Sequence, residues 1–189
     1  MTTWPTVMVT GHRPNHFTHA QQTWVRQALL DLAVRLRDRR GMTTGISGMA
    51  TGSDLWWADA VVKAGVRLEA HVPFGGQEST WPSDDRHEYH RLLSKAVRIP
   101  PPTGTYAKGS FHRRNHAMVR ASDQAVVVWR HGDRGGTWAT LKYALSLGLR
   151  PLWVNPDAQL IEWPTVEGWR QLVVPQPRAR TGQRVGRAG

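Results

Sequence analysis

Three short stretches combine glycine with charged or hydrogen-bonding side chains in a way that suits an anionic ligand. They are Thr10-Gly11-His12-Arg13-Pro14, the run 47–54 that holds Gly48, Thr51, Gly52, Ser53 and Asp54, and Arg134-Gly135-Gly136-Thr137. Glycine tolerates positive φ and lets backbone N–H groups approach an anion closely. Where such a turn leads into a helix, as Gly135-Gly136-Thr137 does, a phosphate meets unpaired N–H groups and the positive end of the helix dipole. Arg114 suits bidentate pairing with a phosphate, or else a structural ion pair. Its neighbour Asn115 offers an amide that either faces a ligand or pins a loop. Arg13, in a loop before Pro14 with few apolar neighbours in sequence, is expected to contact the ligand.

Asp54 has two readings. At a helix start it serves as an N-cap, and beside a nucleotide it accepts hydrogen bonds from ribose hydroxyls or water. On the second reading an Asp54→Asn change costs binding more than stability. His12, His16 and His19 cluster at a helix entry, and His87 and His90 flank Glu88 on a polar helix face. No HExxH or comparable spacing appears, so neither a resident metal nor a cofactor is expected. Trp129 and Trp138 flank the third glycine stretch and are the candidates to stack a base. Trp56 and Trp57 open a helix and are expected to pack on a sheet or a partner subunit.

The elements that must position these residues alternate along the chain. Residues 6–10, 43–47, 67–72, 97–99, 124–129 and 151–155 read as strands. Helices are expected at about 18–40, 55–64, 84–96, 111–121 and 138–147. Thr18 and Gln21 form a capping box, and Gly41, Gly65 and Gly148 stand where helices end. The apolar run 124–129 predicts a central strand buried on both faces. Residues 100–109, rich in Pro and Gly, predict an irregular, mobile loop. Six strands alternating with helices predict a Rossmann-like, doubly wound, mainly parallel α/β sheet with helices on both faces. In such a sheet the three glycine stretches share the carboxyl edge, where ligands bind.

Composition narrows the classes further. The 189 residues include no Cys, which excludes disulfides, thiolate metal sites and Cys nucleophiles. No apolar run reaches the roughly 18 residues of a membrane span, and the first residues lack signal-peptide character, so a cytoplasmic protein is expected. Charge is uneven: 25 Lys and Arg face 14 Asp and Glu, and residues 175–189 hold four Arg and no acid. Residues 1–174 are expected to form one domain and 175–189 a basic, disordered tail. A second basic block, residues 89–122, also lacks acids. Both blocks make nucleic acid a candidate partner.

Val9 to Pro14, Ser47 to Ala58, Arg114-Asn115 with Ser122-Asp123, and Gly135 to Thr137 together resemble the SLOG superfamily. This Rossmann-like group unites the DNA-uptake protein DprA with the LOG phosphoribohydrolases. The opening and the Gly52 to Trp56 stretch look most like its YpsA-like branch. The resemblance implies a nucleotide or nucleotide-derived ligand held across the glycine loops, by a protein acting as sensor, carrier or sequestering module. It also implies a homodimer. One alternative is a nucleotide hydrolase, breaking an N-glycosidic or phosphate bond. A LOG enzyme, however, looks like Pro-Gly-Gly-x-Gly-Thr followed by a catalytic Glu, and Ala139 and Thr140 stand there in this chain. Asp54 or Glu88 would have to replace that acid. The other alternative is single-stranded DNA binding of the DprA kind.

Overall fold

The computed structural model describes residues 2–100 and 104–173. The sheet has seven strands: β1 (Thr6–Gly11), β2 (Thr44–Ser47), β3 (Arg67–His71), β4 (Val97–Ile99), β5 (Gln124–Val128), β6 (Leu152–Asn155) and β7 (Leu160–Glu162). The helices are α1 (His19–Arg40), α2 (Ser53–Lys63), α3 (Ser83–Leu93), α4 (Ser110–Arg120), α5 (Gly136–Ser146) and α6 (Val166–Val173). The spatial order is β4-β3-β2-β1-β5-β6-β7, parallel except for the β6–β7 pair. The connection therefore reverses direction between β1 and β5, which lie side by side in the middle of the sheet.

The period-two alternation of a strand sorts its side chains between two faces. Val7 and Val9 of β1 pack with α1, α2 and α3, whereas Met8 packs with α4 and α5. β5 has no polar face: its apolar residues Ala125 to Val128 are all at most 1% exposed. Each fully buried valine contributes about 1.5–3 kcal/mol, so this strand is the axis of the core. The α1 capping box is present, with Gln21 N donating to Thr18 Oγ1 (3.2 Å) and Thr18 N to Gln21 Oε1 (2.9 Å). Gly41 closes the helix at φ 67°.

Two elements escape the sequence reading. β7 is a three-residue antiparallel strand, exposed along most of its length, which exists through its pairing with β6. α6 follows it and inserts Trp169, fully buried, with its indole N–H on the Pro151 carbonyl (3.1 Å). α3 ends at Leu93, three residues before the expected boundary. The loop between β4 and α4 is irregular over its described residues 104–109. The basic tail 175–189 lies outside the described residues. No helix among those described is long and apolar enough to cross a membrane.

Candidate functional site

A cavity of about 260 Å³ opens at the reversal point between β1 and β5. Its wall takes Gly11, His12 and Arg13 from the end of β1, and Arg134, Gly135, Gly136 and Thr137 from the loop after β5. Asp54 of α2 and Arg114 and Asn115 of α4 complete it. Three arginines against one carboxylate make the lining electropositive, and low-dielectric walls strengthen that field.

The β2–α2 loop builds the floor by interlocking. Asp54 is 8% exposed and Arg114 5%, with Arg114 Nη1 3.4 Å from Asp54 Oδ2. The Asp54 carboxylate also accepts from Ala50 N (3.3 Å). Burial pushes the Asp54 carboxyl up, against the pull of Arg114 and the Ala50 N–H, and pushes Arg114 down. The Arg114 guanidinium stays charged, as arginine does in a protein, and it is the main group that draws the Asp54 carboxyl back toward its ionised form. A Cβ on Gly48 would overlap the Arg114 guanidinium, which explains glycine there through close approach. Ser53 Oγ donates to the His12 carbonyl (2.9 Å), tying this loop to the end of β1. Arg13 Nη1 donates to Thr51 Oγ1 (2.7 Å) and lies 5.8 Å from the Trp81 ring.

The loop after β5 is different. Gly135 holds φ 126°, a value for glycine alone, and α5 begins directly after it with no side chain capping its first N–H groups. A Cβ on Gly135 or Gly136 would meet nothing within 4 Å. This helix start is open. Behind it, Thr140 Oγ1 donates to the Gly136 carbonyl (2.8 Å) and accepts from Asn115 Nδ2 (2.8 Å). Thr140, one of the two residues that the resemblance sets at the LOG glutamate, therefore pins the helix start to α4.

On the β1 side, His12 and His16 stack with ring centroids 4.6 Å apart, and both face Asp133. His12 is 5% exposed, and its Nε2 has no hydrogen-bond partner among the described residues. Its pKa falls to about 4: burial is the main cause, with the neighbouring His16 second. Asp133 approaches from the β5 loop, where the Trp129 indole N–H holds its carbonyl (2.9 Å).

The structure thus brings Gly11, His12, Arg13, Asp54, Arg114, Asn115, Gly135, Gly136 and Thr137 to one cavity. Gly48, Thr51, Gly52 and Ser53 stand behind it and hold the lining residues. Three expectations need correction. Glu88 lies on α3, where it pairs with Arg91 (2.7 Å), and it does not line this cavity. Asp54 is not the cap of α2: Gly52 occupies that position and Asp54 sits in the first turn. Its buried pairing makes a loss of stability the expected outcome of Asp54→Asn. Arg13, expected to contact the ligand, lines the cavity with Trp81 beside it. Trp129 is 1% exposed and cannot stack a base, while Trp138 is already covered by Arg134 and Lys142 at 4.7 and 4.4 Å. Trp56 and Trp57, expected to pack on the sheet or a partner, do pack into the core on α1 and the sheet. In the basic block, Arg91 is neutralised by Glu88 and Asp59. The sequence reading did not single out Phe111 or Asp133. Asp133 precedes the glycine pair by two residues, a signal that only strand order makes meaningful.

The fold and site define a Rossmann-like α/β protein with an anion-favouring cleft at the reversal of its sheet. A family model described as the YspA SLOG family matches residues 7–146, and the chain belongs to that family. Among solved structures it is similar to DNA processing protein A (DprA) of Streptococcus pneumoniae (TM-score 0.59, 19% identity, 79% of this chain and 50% of that one). It is also similar to Helicobacter pylori DprA, described for its single-stranded DNA binding mode (0.58, 17%, 79% and 65%). The Chlamydomonas reinhardtii molybdenum cofactor carrier protein matches over 89% of this chain and 98% of its own (0.52, 16%). This chain spans half to two thirds of the two DprA chains. Among curated proteins none matches. At these identities the structures establish the fold.

Proposed function

We propose that the cavity binds a nucleotide or nucleotide-derived ligand through its phosphate, as a sensor, carrier or sequestering module. The observation that carries this reading is the open start of α5 at Gly135 and Gly136, set in a wall shared with Arg13, Arg114 and Arg134. Arg114 Nε adds a buried donor with no partner among the described residues. A cavity of about 260 Å³ lies just below the roughly 300 Å³ at which drug-sized sites begin. That size suits a phosphate and sugar held inside with the base at the rim. The single-stranded DNA binding named for one DprA neighbour and the cofactor carriage named for the carrier protein are in keeping with a bound ligand. Hydrolysis of the LOG kind is disfavoured, because Asp54 is the one carboxylate in the lining and Arg114 holds it.

Mass spectrometry of small molecules released from the denatured, purified protein tests the reading, followed by calorimetry with the compound found or with AMP. Arg134 is exposed and makes no ion pair among the described residues, so Arg134→Ala leaves the fold intact. Losing its charge-assisted hydrogen bond weakens binding by roughly 10- to 150-fold. Unchanged affinity in that variant, or no nucleotide bound at all, would overturn the proposal. Steeply salt-dependent binding of oligothymidine that disappears when the chain stops at Val174 would instead favour DNA. On the leading reading, the chain ending at Val174 keeps its ligand. The same reading has a homodimer working in the cytoplasm, and molar mass in solution checks the dimer.

A further inference from the structure

We infer that His12 Nε2, His16 Nδ1 and Asp133 Oδ2 form a binding site for a divalent transition-metal ion, Zn²⁺ above all, on the rim of the cavity. The donor set of two imidazoles and one carboxylate is one that zinc uses when three protein ligands leave a fourth position open. The spacing fits. His12 Nε2 lies 3.5 Å and His16 Nδ1 3.4 Å from the same carboxylate oxygen, and all three ligand atoms lie within 4.8 Å of one another. Tetrahedral ligands at roughly 2.0–2.1 Å from zinc stand about 3.3 Å apart. As hydrogen bonds both separations are long, beyond the usual 2.7–3.2 Å. A second observation is independent of this spacing: His12 Nε2 is buried and lacks any hydrogen-bond partner among the described residues. Such a nitrogen is costly unless something ligates it.

The backbone that carries the three ligands is already pinned. Ser53 Oγ holds the His12 carbonyl (2.9 Å), and Arg130 Nη1 holds that of His16 (3.3 Å). The Trp129 indole holds the carbonyl of Asp133 (2.9 Å). A backbone fixed at the ligand positions leaves less conformational entropy to be lost when the ion binds. Arg130 itself is offset by Asp157 at 3.1 Å, which lowers the local positive charge opposing a cation. His12 and His16 both line the cavity, so the fourth position opens toward it and takes water or an anionic oxygen. The metal site stands independently of the nucleotide reading.

The test uses the full-length chain without a histidine tag, stripped by chelator, and Zn²⁺ alone as probe. Competition with a chromogenic chelator is expected to give one equivalent bound. Co²⁺ substituted at the same stoichiometry should give the visible absorption of a tetrahedral site. His16 and Asp133 side chains are 39% and 34% exposed, so His16→Ala and Asp133→Asn should fold, with melting temperature as the control. Each is expected to weaken Zn²⁺ by at least the roughly 10- to 100-fold that losing a mere supporting group costs. His90→Ala, at an exposed histidine on α3, is expected to change nothing. No stoichiometric binding, or one equivalent that survives in both variants, would overturn the assignment.

Discussion

The β2–α2 loop and the β5–α5 loop stand on the same sheet edge, share a glycine-rich composition, and do opposite things. In the first, the space a side chain would need at Gly48 is filled by Arg114 and Asp54. In the second, Gly135 and Gly136 border empty space at an uncapped helix start. One set of glycines therefore allows the protein to pack against itself, and the other leaves backbone donors accessible. Glycine content alone does not mark a binding loop. What marks one is whether the vacated volume is taken by the protein.

The largest test of this contrast is Asp54→Asn on the packed side. Breaking a buried ion pair by removing one charge costs about 3–5 kcal/mol, of which Asn's remaining hydrogen bond to the Ala50 N–H recovers a part. A loss of about 3 kcal/mol lowers the melting temperature by roughly 6–12 °C in a chain of this size. Near-native stability would mean that Arg114 has other support and that the floor is not interlocked.

Between the two loops, His12 gives the chelator-treated protein a pH-dependent stability. Its folded pKa of about 4 lies below the ordinary 6.5, so the unfolded chain binds more protons between those values. Stability from this group is complete above about pH 6.5, falls as pH drops, and is lost below pH 4, a total on the order of 2–3 kcal/mol. Urea unfolding at pH 7 and pH 4.5, with and without His12→Gln, measures it. An equal acid loss in the variant would remove His12 as the cause.

The smallest effects are expected on the open side, and they separate conformation from space. Gly135→Ala costs about 1–3 kcal/mol because alanine resists φ 126°, although the site is empty. Gly136→Ala meets neither constraint and should raise stability by less than about 1 kcal/mol, since it removes backbone entropy from the unfolded chain. Chemical denaturation of the two variants side by side would expose a hidden contact if Gly136→Ala proved the costlier.

Much of the fold was legible in order along the chain. The Thr18–Gln21 capping box, the apolar 124–129 run and the helix-ending glycines act within a few residues, and each stands where local chemistry put it. β7 was not legible, since a three-residue exposed strand has no pattern of its own and exists through β6. The three glycine stretches and Arg114 pointed to the right edge of the sheet. Their division of labour did not appear, because Gly48 and Gly135 look alike until Arg114 is seen to fill the space beside one of them.

By itself, then, the sequence determined the alternation of strands and helices, their caps, the basic character and the glycine loops, all of which depend on short-range propensity and period. Tertiary structure decided which charges meet. Asp54 and Arg114 are 60 residues apart, and His16 and Asp133 are separated by 117. Only the placement of β1 against β5 brings the second pair together, and only the packing of α4 against the β2–α2 loop buries the first. The same long-range order carries Glu88 away on α3. Convergence of side chains follows strand order, and strand order is set by burial of the whole core.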